Sequence, residues 1–183
     1  MPYLTYADLC TPLANACEQN RPDVVSFLLQ NTSTDPTLHS NWAMTVATTS
    51  KSVECVKLLL EDGRADPMYL DGFALLSVLV NLDSKMAHTL LDDPRVDPSV
   101  KNNKALAWAV WHGDESIVTR LLADPRVNPA DGNNRCIKIA HIRKFDNIVK
   151  LLLADSRVQM ALLDGITPKA GSTEHYNIMS GVF

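Results

Sequence analysis

Side chains able to do chemistry are few in this chain and widely spaced. Its five histidines (His39, His88, His112, His141 and His175) never fall three or four residues apart, so no helical face offers two imidazoles to a metal. His112 and His141 lie 29 residues apart, a spacing that suits packing or surface roles rather than ligation. Cys10, Cys17, Cys55 and Cys136 form no Cys-x-x-Cys pair and read as reduced thiols, three of them packed in helices. No nucleophile elbow, phosphate-binding loop or dinucleotide fingerprint is spelled. The Asp-Pro stretches lack the closely spaced oxygens of a calcium loop and read as turns. No catalytic residue, cofactor or metal is therefore expected. An enzyme would need a constellation assembled from distant residues.

Composition narrows the field further. The 183 residues are 46% hydrophobic and 21% charged with a net charge of −4, an ordinary globular mix that is neither fibrous nor disordered. That charge argues against bulk attraction to nucleic acid or anionic membrane. Residues 1–91 hold 5 Lys/Arg against 10 Asp/Glu and residues 92–183 hold 12 against 11, so the second half is the more basic. No apolar run approaches the roughly 18–20 residues that span a bilayer. Residues 1–20 show no basic start followed by an apolar run, so no secretory leader is expected and Asn31-Thr32-Ser33 is a chance glycosylation match. An intracellular setting, cytoplasmic or nuclear, follows as the expectation.

The elements that would position any site come from a repeat. Pro36, Pro67, Pro98 and Pro129, each after Asp or Asn, are spaced 31 apart every time. The same step carries five apolar columns. One begins Leu28, Leu59, Leu90, Leu121, Leu152 and its neighbour Leu29, Leu60, Leu91, Leu122, Leu153. Others run from Val25, from Ala16 and from Leu13. Within a copy, Leu106, Ala109 and Val110 mark one face of a short helix that Gly113 ends. Ile117, Val118, Leu121 and Leu122 mark a second helix, which Asp124-Pro125 stops. The Asn-, Asp-, Gly- and Pro-rich segment that follows predicts a projecting turn or hairpin finger.

Thr11-Pro12-Leu13-Ala14-Asn15-Ala16 resembles the helix opening of the ankyrin repeat family. The stretch from Leu106 to Leu122 resembles that family's two helices, and Asp164-Gly165-Ile166-Thr167-Pro168 the start of a further repeat. The period is 31 rather than 33, the shortening lies in the Asp-Pro turn, and the family histidine after Leu is absent. The resemblance implies an all-α helix-turn-helix solenoid of about five copies. These cover 8–38, 39–69, 70–100, 101–131 and 132–162, with a degenerate cap at 163–183. At position 160 the register expects proline and finds Met, so the end is expected to be weak and to open first, or to rest on a partner or a second copy.

The resemblance further implies a module that binds another protein on a concave surface of fingers and first helices. Carried over copy by copy, its contact positions include Tyr69, Leu70, Lys101, Asn103, Trp111, His112 and Arg143 as the partner-binding set. Val80 and Ile142 occupy the same kind of position and either present outward or pack inward on tilted helices. Trp108 faces the core columns. A rival reading makes the chain a regulatory or targeting subunit whose basic C-terminal half binds an acidic tail or nucleic acid. Acidic residues interleaved with those cations weaken the nucleic-acid version.

Overall fold

The structure, a computed structural model, describes residues 11–30 and 34–166, the last three by their backbone alone. Eleven helices and no strand occur among these residues. In chain order they are α1 (Pro12–Glu18), α2 (Pro22–Gln30), α3 (Leu38–Thr49), α4 (Val53–Asp62), α5 (Tyr69–Val80) and α6 (Ser84–Leu91). Then follow α7 (Val100–His112), α8 (Glu115–Leu122), α9 (Asp131–Ile142), α10 (Asp146–Ala154) and α11 (Ser156–Ile166). Odd-numbered helices α1 to α9 stack in one layer and even-numbered α2 to α10 in a second, each pair packing on the next. This is the all-α solenoid expected from the columns.

Burial follows those columns. Leu13, Met44, Leu75 and Leu106 are buried, as are Ala16, Ala47, Val78, Ala109 and Ala140. In the second layer Val25, Val56, Ala87 and Val118 are buried, and so are Leu59, Leu90, Leu121 and Leu152. The small residues of the alanine column let successive first helices approach closely, while leucines fill the wider space between layers. Cys17, Cys55 and Cys136 are buried free thiols, as the packing reading requires. Cys10 and His175 lie outside the described residues.

The fingers are turns, not strand hairpins. Each opens with an Asp or Asn whose Oδ1 accepts the backbone N–H two residues on, across the proline. Asp35 takes Thr37 (2.8 Å), Asp66 Met68 (2.8 Å), Asp97 Ser99 (2.9 Å) and Asn128 Ala130 (3.1 Å). That bond gives the Asp-Pro column a structural role in closing the turn. Three left-handed residues follow in each finger: His39–Asn41, Leu70–Gly72, Lys101–Asn103 and Gly132–Asn134. Outside glycine and asparagine such backbone costs about 1–2 kcal/mol per residue, so a run of three is held by its surroundings. The third residue of each run shows how. Asn41 Oδ1 accepts the Asp66 N–H of the next finger at 2.8 Å, and Asn103 Oδ1 the Asn128 N–H at 2.7 Å. Gly72 has no side chain, and there the Asp97 N–H finds the Met68 sulfur at 3.2 Å. Asn134 is equally buried, yet its Oδ1 has no partner.

A second polar ladder runs the other way. Arg64, Arg95, Arg126 and Arg157 each grip the Asp two residues before them at 2.6–2.7 Å. Three then reach back to a carbonyl in the last turn of the preceding copy's second-layer helix: Arg64 to Leu29 (3.0 Å), Arg95 to Leu60 (2.9 Å) and Arg157 to Leu122 (2.8 Å). At the remaining helix end Arg120 of α8 takes the Leu91 carbonyl at 2.7 Å, and Arg126 meets only the Pro94 carbonyl at 3.4 Å. Helix ends carry unpaired carbonyls and partial negative charge, so a guanidinium there satisfies both.

The loop between paired helices also repeats, with Asn20, Lys51, Leu82, Gly113 and Lys144 all at positive φ. Only one of the five is the glycine that this conformation favours. Beyond α10 the pattern changes. Where earlier copies have Pro94 and Pro125, and Pro98 and Pro129, the chain has Ser156 and Met160, so nothing breaks the helix and α11 runs across the boundary expected at 162/163. The weak end foreseen after residue 165 falls almost wholly outside the described residues.

Candidate partner-binding face

Positions three, four and seven apart on a helix share a face, and positions 31 apart share a column, so the outer side of the first layer is a grid. Its finger-side row is Trp42, Phe73, Lys104, Arg135. The middle row reads Thr45, Leu76, Ala107, Lys138. Nearest the inter-helix loops lie Thr49, Val80, Trp111, Ile142. Toward the C-terminal copies the finger-side row turns from aromatic to cationic, while the loop-side row stays apolar from α5 onward. Val80 is 45% exposed, Trp111 44% and Ile142 77%, so both open assignments resolve outward.

The seven expected contact residues divide. Leu70 is 60% exposed at a finger tip, held in left-handed backbone with φ 53. Lys101 occupies the same position one finger on, exposed, with its Nζ 3.7 Å from Asp71. Tyr69 is half-buried at the base of its finger. Arg143 is exposed, and its guanidinium lies 4.6 Å over the Trp111 ring and 5.6 Å from Phe145. The fold thus brings Trp111 and Arg143 together from neighbouring copies, with the cation resting on the electron-rich ring.

Asn103 is a correction. It is only 7% exposed, because the left-handed turn swings its side chain under the finger rather than outward. Its Oδ1 accepts from Asn128, and its Nδ2 donates to Asp131 at 2.9 Å. His112 is half-buried, its ring stacked at 5.7 Å on Trp108, and its Nε2 is enclosed with no hydrogen-bond partner. Trp108 is itself partly buried against the core.

Nothing else in the described residues makes a better site. Burial pushes the Cys17 thiol up to about 12 and Cys136 to about 11, and it raises Cys55 as well, far from the thiolate that nucleophilic chemistry needs. No cluster of three or more His, Cys, Asp or Glu among the described residues is arranged to hold a metal. A cleft of about 380 Å³ opens on the second layer between α4 and α6, lined by Lys57, Glu61, Thr89, Asp92 and Asp93. It is open, Leu60 and Pro94 also line it, and it offers no nucleophile paired with a base. No described helix is long and apolar enough to cross a membrane.

A stack of paired helices with projecting turns defines a repeat solenoid. Residues 3–71 match the family model for ankyrin repeats (3 copies). The same helical pairing at the same period continues through α10. No curated protein matches the chain. Ankyrin repeats are generally protein–protein interaction modules and typically non-catalytic.

The arginine ladder escaped the column reading, although its residues stand 31 apart at Arg64, Arg95, Arg126 and Arg157. A search for charged as well as apolar columns would have found it.

Proposed function

We propose that this chain is a non-catalytic adaptor or scaffold, a single array of about five copies that engages a partner protein on its finger and first-layer face. The observation that carries this is the exposed apolar row Val80, Trp111, Ile142, with Leu70 on the finger beside it. Large side chains are displayed there, on a surface where solvent alone would favour polar ones. Trp and Arg, the pair stacked at its centre, are the residue types in which interface energy concentrates. An intracellular location, where three buried free thiols stay reduced, fits the same reading.

The test is capture of partners with the wild type beside two surface variants. Trp111→Ala with Leu70→Asn should weaken the specific interaction about 30-fold or more, since losing a hot-spot residue costs about 2 kcal/mol or more. Thr119→Glu, on the exposed side of α8, should leave it unchanged. The opposite result moves the binding surface to the second layer.

A further inference from the structure

The chemistry of that face says what kind of partner segment it fits. Across α7 and α9 the apolar row runs between two sets of cations. On one side, about 10 Å along the helices at 1.5 Å per residue, stand Lys104 and Arg135, with Lys138 between them and the row. On the other side stand Arg143 and Lys144. All five are exposed, and none forms an ion pair with a carboxylate among the described residues. The Arg135 guanidinium is steadied by the Asn102 carbonyl at 3.0 Å, and that of Arg143 by the Trp111 ring. Two guanidinium groups are thus held in place without a carboxylate, which suits bidentate capture of one from outside. No Asp or Glu occupies the grid itself, although the chain is acidic overall.

Spacing adds a second constraint. Helices packed side by side stand about 8–10 Å apart. An extended segment in the polyproline II conformation rises about 3.1 Å per residue with three residues per turn, so every third side chain shares one face and advances by one copy. A segment laid across the row would place apolar residues at i, i+3 and i+6 against Val80, Trp111 and Ile142. The residues between them would lean toward the flanking cations.

We propose that the occupant of this face is an extended, acidic peptide segment of a partner protein, with apolar anchors three residues apart and carboxylates between them. This rests on the binding face put forward above and adds to it the chemistry of the partner. Such a segment meets neutralising charge on both sides of its anchors, and long-range attraction speeds its arrival.

The experiment is selection of a displayed library of random 12-residue peptides on the full chain, followed by binding of the selected peptides in solution. Enriched peptides should be net negative with large apolar residues three apart. Their affinity should fall roughly tenfold between low and high salt, as screening of exposed charge requires. Arg143→Glu and Lys104→Glu/Arg135→Glu should each lower it at least tenfold without moving the denaturation midpoint, because these side chains are exposed. Arg143→Lys should fall between. Selection of neutral or basic peptides, no enrichment, or salt-sensitive retention of an oligonucleotide on the same cations with no peptide bound would each overturn the proposal. A partner whose capture depends on Trp111 yet ignores Arg143→Glu would defeat this inference and leave the binding face standing.

Discussion

Arg157 donates from Nη2 to the Leu122 carbonyl, 35 residues earlier in the chain, at 2.8 Å, while the same fork holds Asp155 at 2.6 Å. One side chain therefore closes the end of the preceding copy's helix and fixes the loop of its own. Arg95 does the same, reaching the carbonyls of Leu60 (2.9 Å), Gly63 (2.8 Å) and Ala65 (3.0 Å). Apolar columns bring the copies together, and these bridges fix how they dock.

Arg95→Ala should accordingly destabilise the array by about 1.5–3 kcal/mol, the range for hydrogen bonds made by a charged group. Arg95→Lys should recover little of that, because an ammonium cannot span Asp93 and three carbonyls as a planar fork does. Denaturant midpoints of the two variants decide it. Full recovery by lysine would reduce the bridge to simple charge.

Acid should loosen the same contacts. Hydrogen bonds from the neighbouring arginines hold the carboxyls of Asp62, Asp93, Asp124 and Asp155 below the ordinary Asp range. Their folded values thus lie under the unfolded value of about 3.9. The stability they contribute is fully present above that value and is lost as pH falls below it through the folded values. Unfolding free energy measured from pH 6 to pH 2 should drop in that lower window. Asp93→Asn with Asp124→Asn should flatten the drop, and an unchanged slope would assign it to other carboxylates.

The column of buried finger asparagines supplies an internal comparison. Removing Asn103 by Asn103→Gly keeps the left-handed backbone but orphans the Asn128 N–H. It should cost about 1–3 kcal/mol, as for a buried group left unsatisfied. Asn134→Gly should cost less, because the Asn134 Oδ1 has no partner to lose. Equal losses in thermal or chemical melts would mean that packing, not the hydrogen bond, sets the price.

Gly113→Ala should be costly on two counts. Its φ is +75, and an added Cβ would sit 2.9 Å from the Phe145 ring. A loss of about 1–3 kcal/mol is expected, partly restored by adding Phe145→Ala. Lys51→Gly, at φ 57 in the equivalent loop, should change stability in the favourable direction by up to about 1 kcal/mol. A double-mutant cycle at 113 and 145 separates the steric part from the backbone part.

Leu121→Ala should cost about 2–5 kcal/mol, since the side chain is fully buried between copies. Trp111→Ala, on the exposed face, should stay within about 1 kcal/mol of wild type while affecting binding. Melts and binding assays on the two variants should move in opposite ways.

What the sequence disclosed and what it hid differ in physical kind. Apolar periodicity exposed the helix pairs and the core down to Leu121, because burial selects residue type directly. Trp111 was legible because its register position faces outward in any such pair of helices. Asn103 was misplaced because its direction depends on the sign of φ, and Lys101 and Asn102 give no hint that three left-handed residues precede α7's regular turns. His112 looked exposed because nothing in its neighbours announces the stacking on Trp108. The Asp93–Arg95 pair stands in the sequence, but the reach of Arg95 to the preceding copy was hidden, because those partners are backbone carbonyls, which leave no trace in side-chain identity.

Both polar ladders join residues of adjacent copies, one reaching back through arginine and the other forward through asparagine. Both columns recur with a step of 31 residues, so their register is kept only by changes of whole units. Removal or duplication of one complete unit keeps the arginine and asparagine columns in register across the seam. A partial insertion misaligns both ladders at once, even where the apolar columns could re-form by slipping. The length of this array is in that sense quantised: it can grow or shrink by whole steps, and the polar bridges penalise every length between.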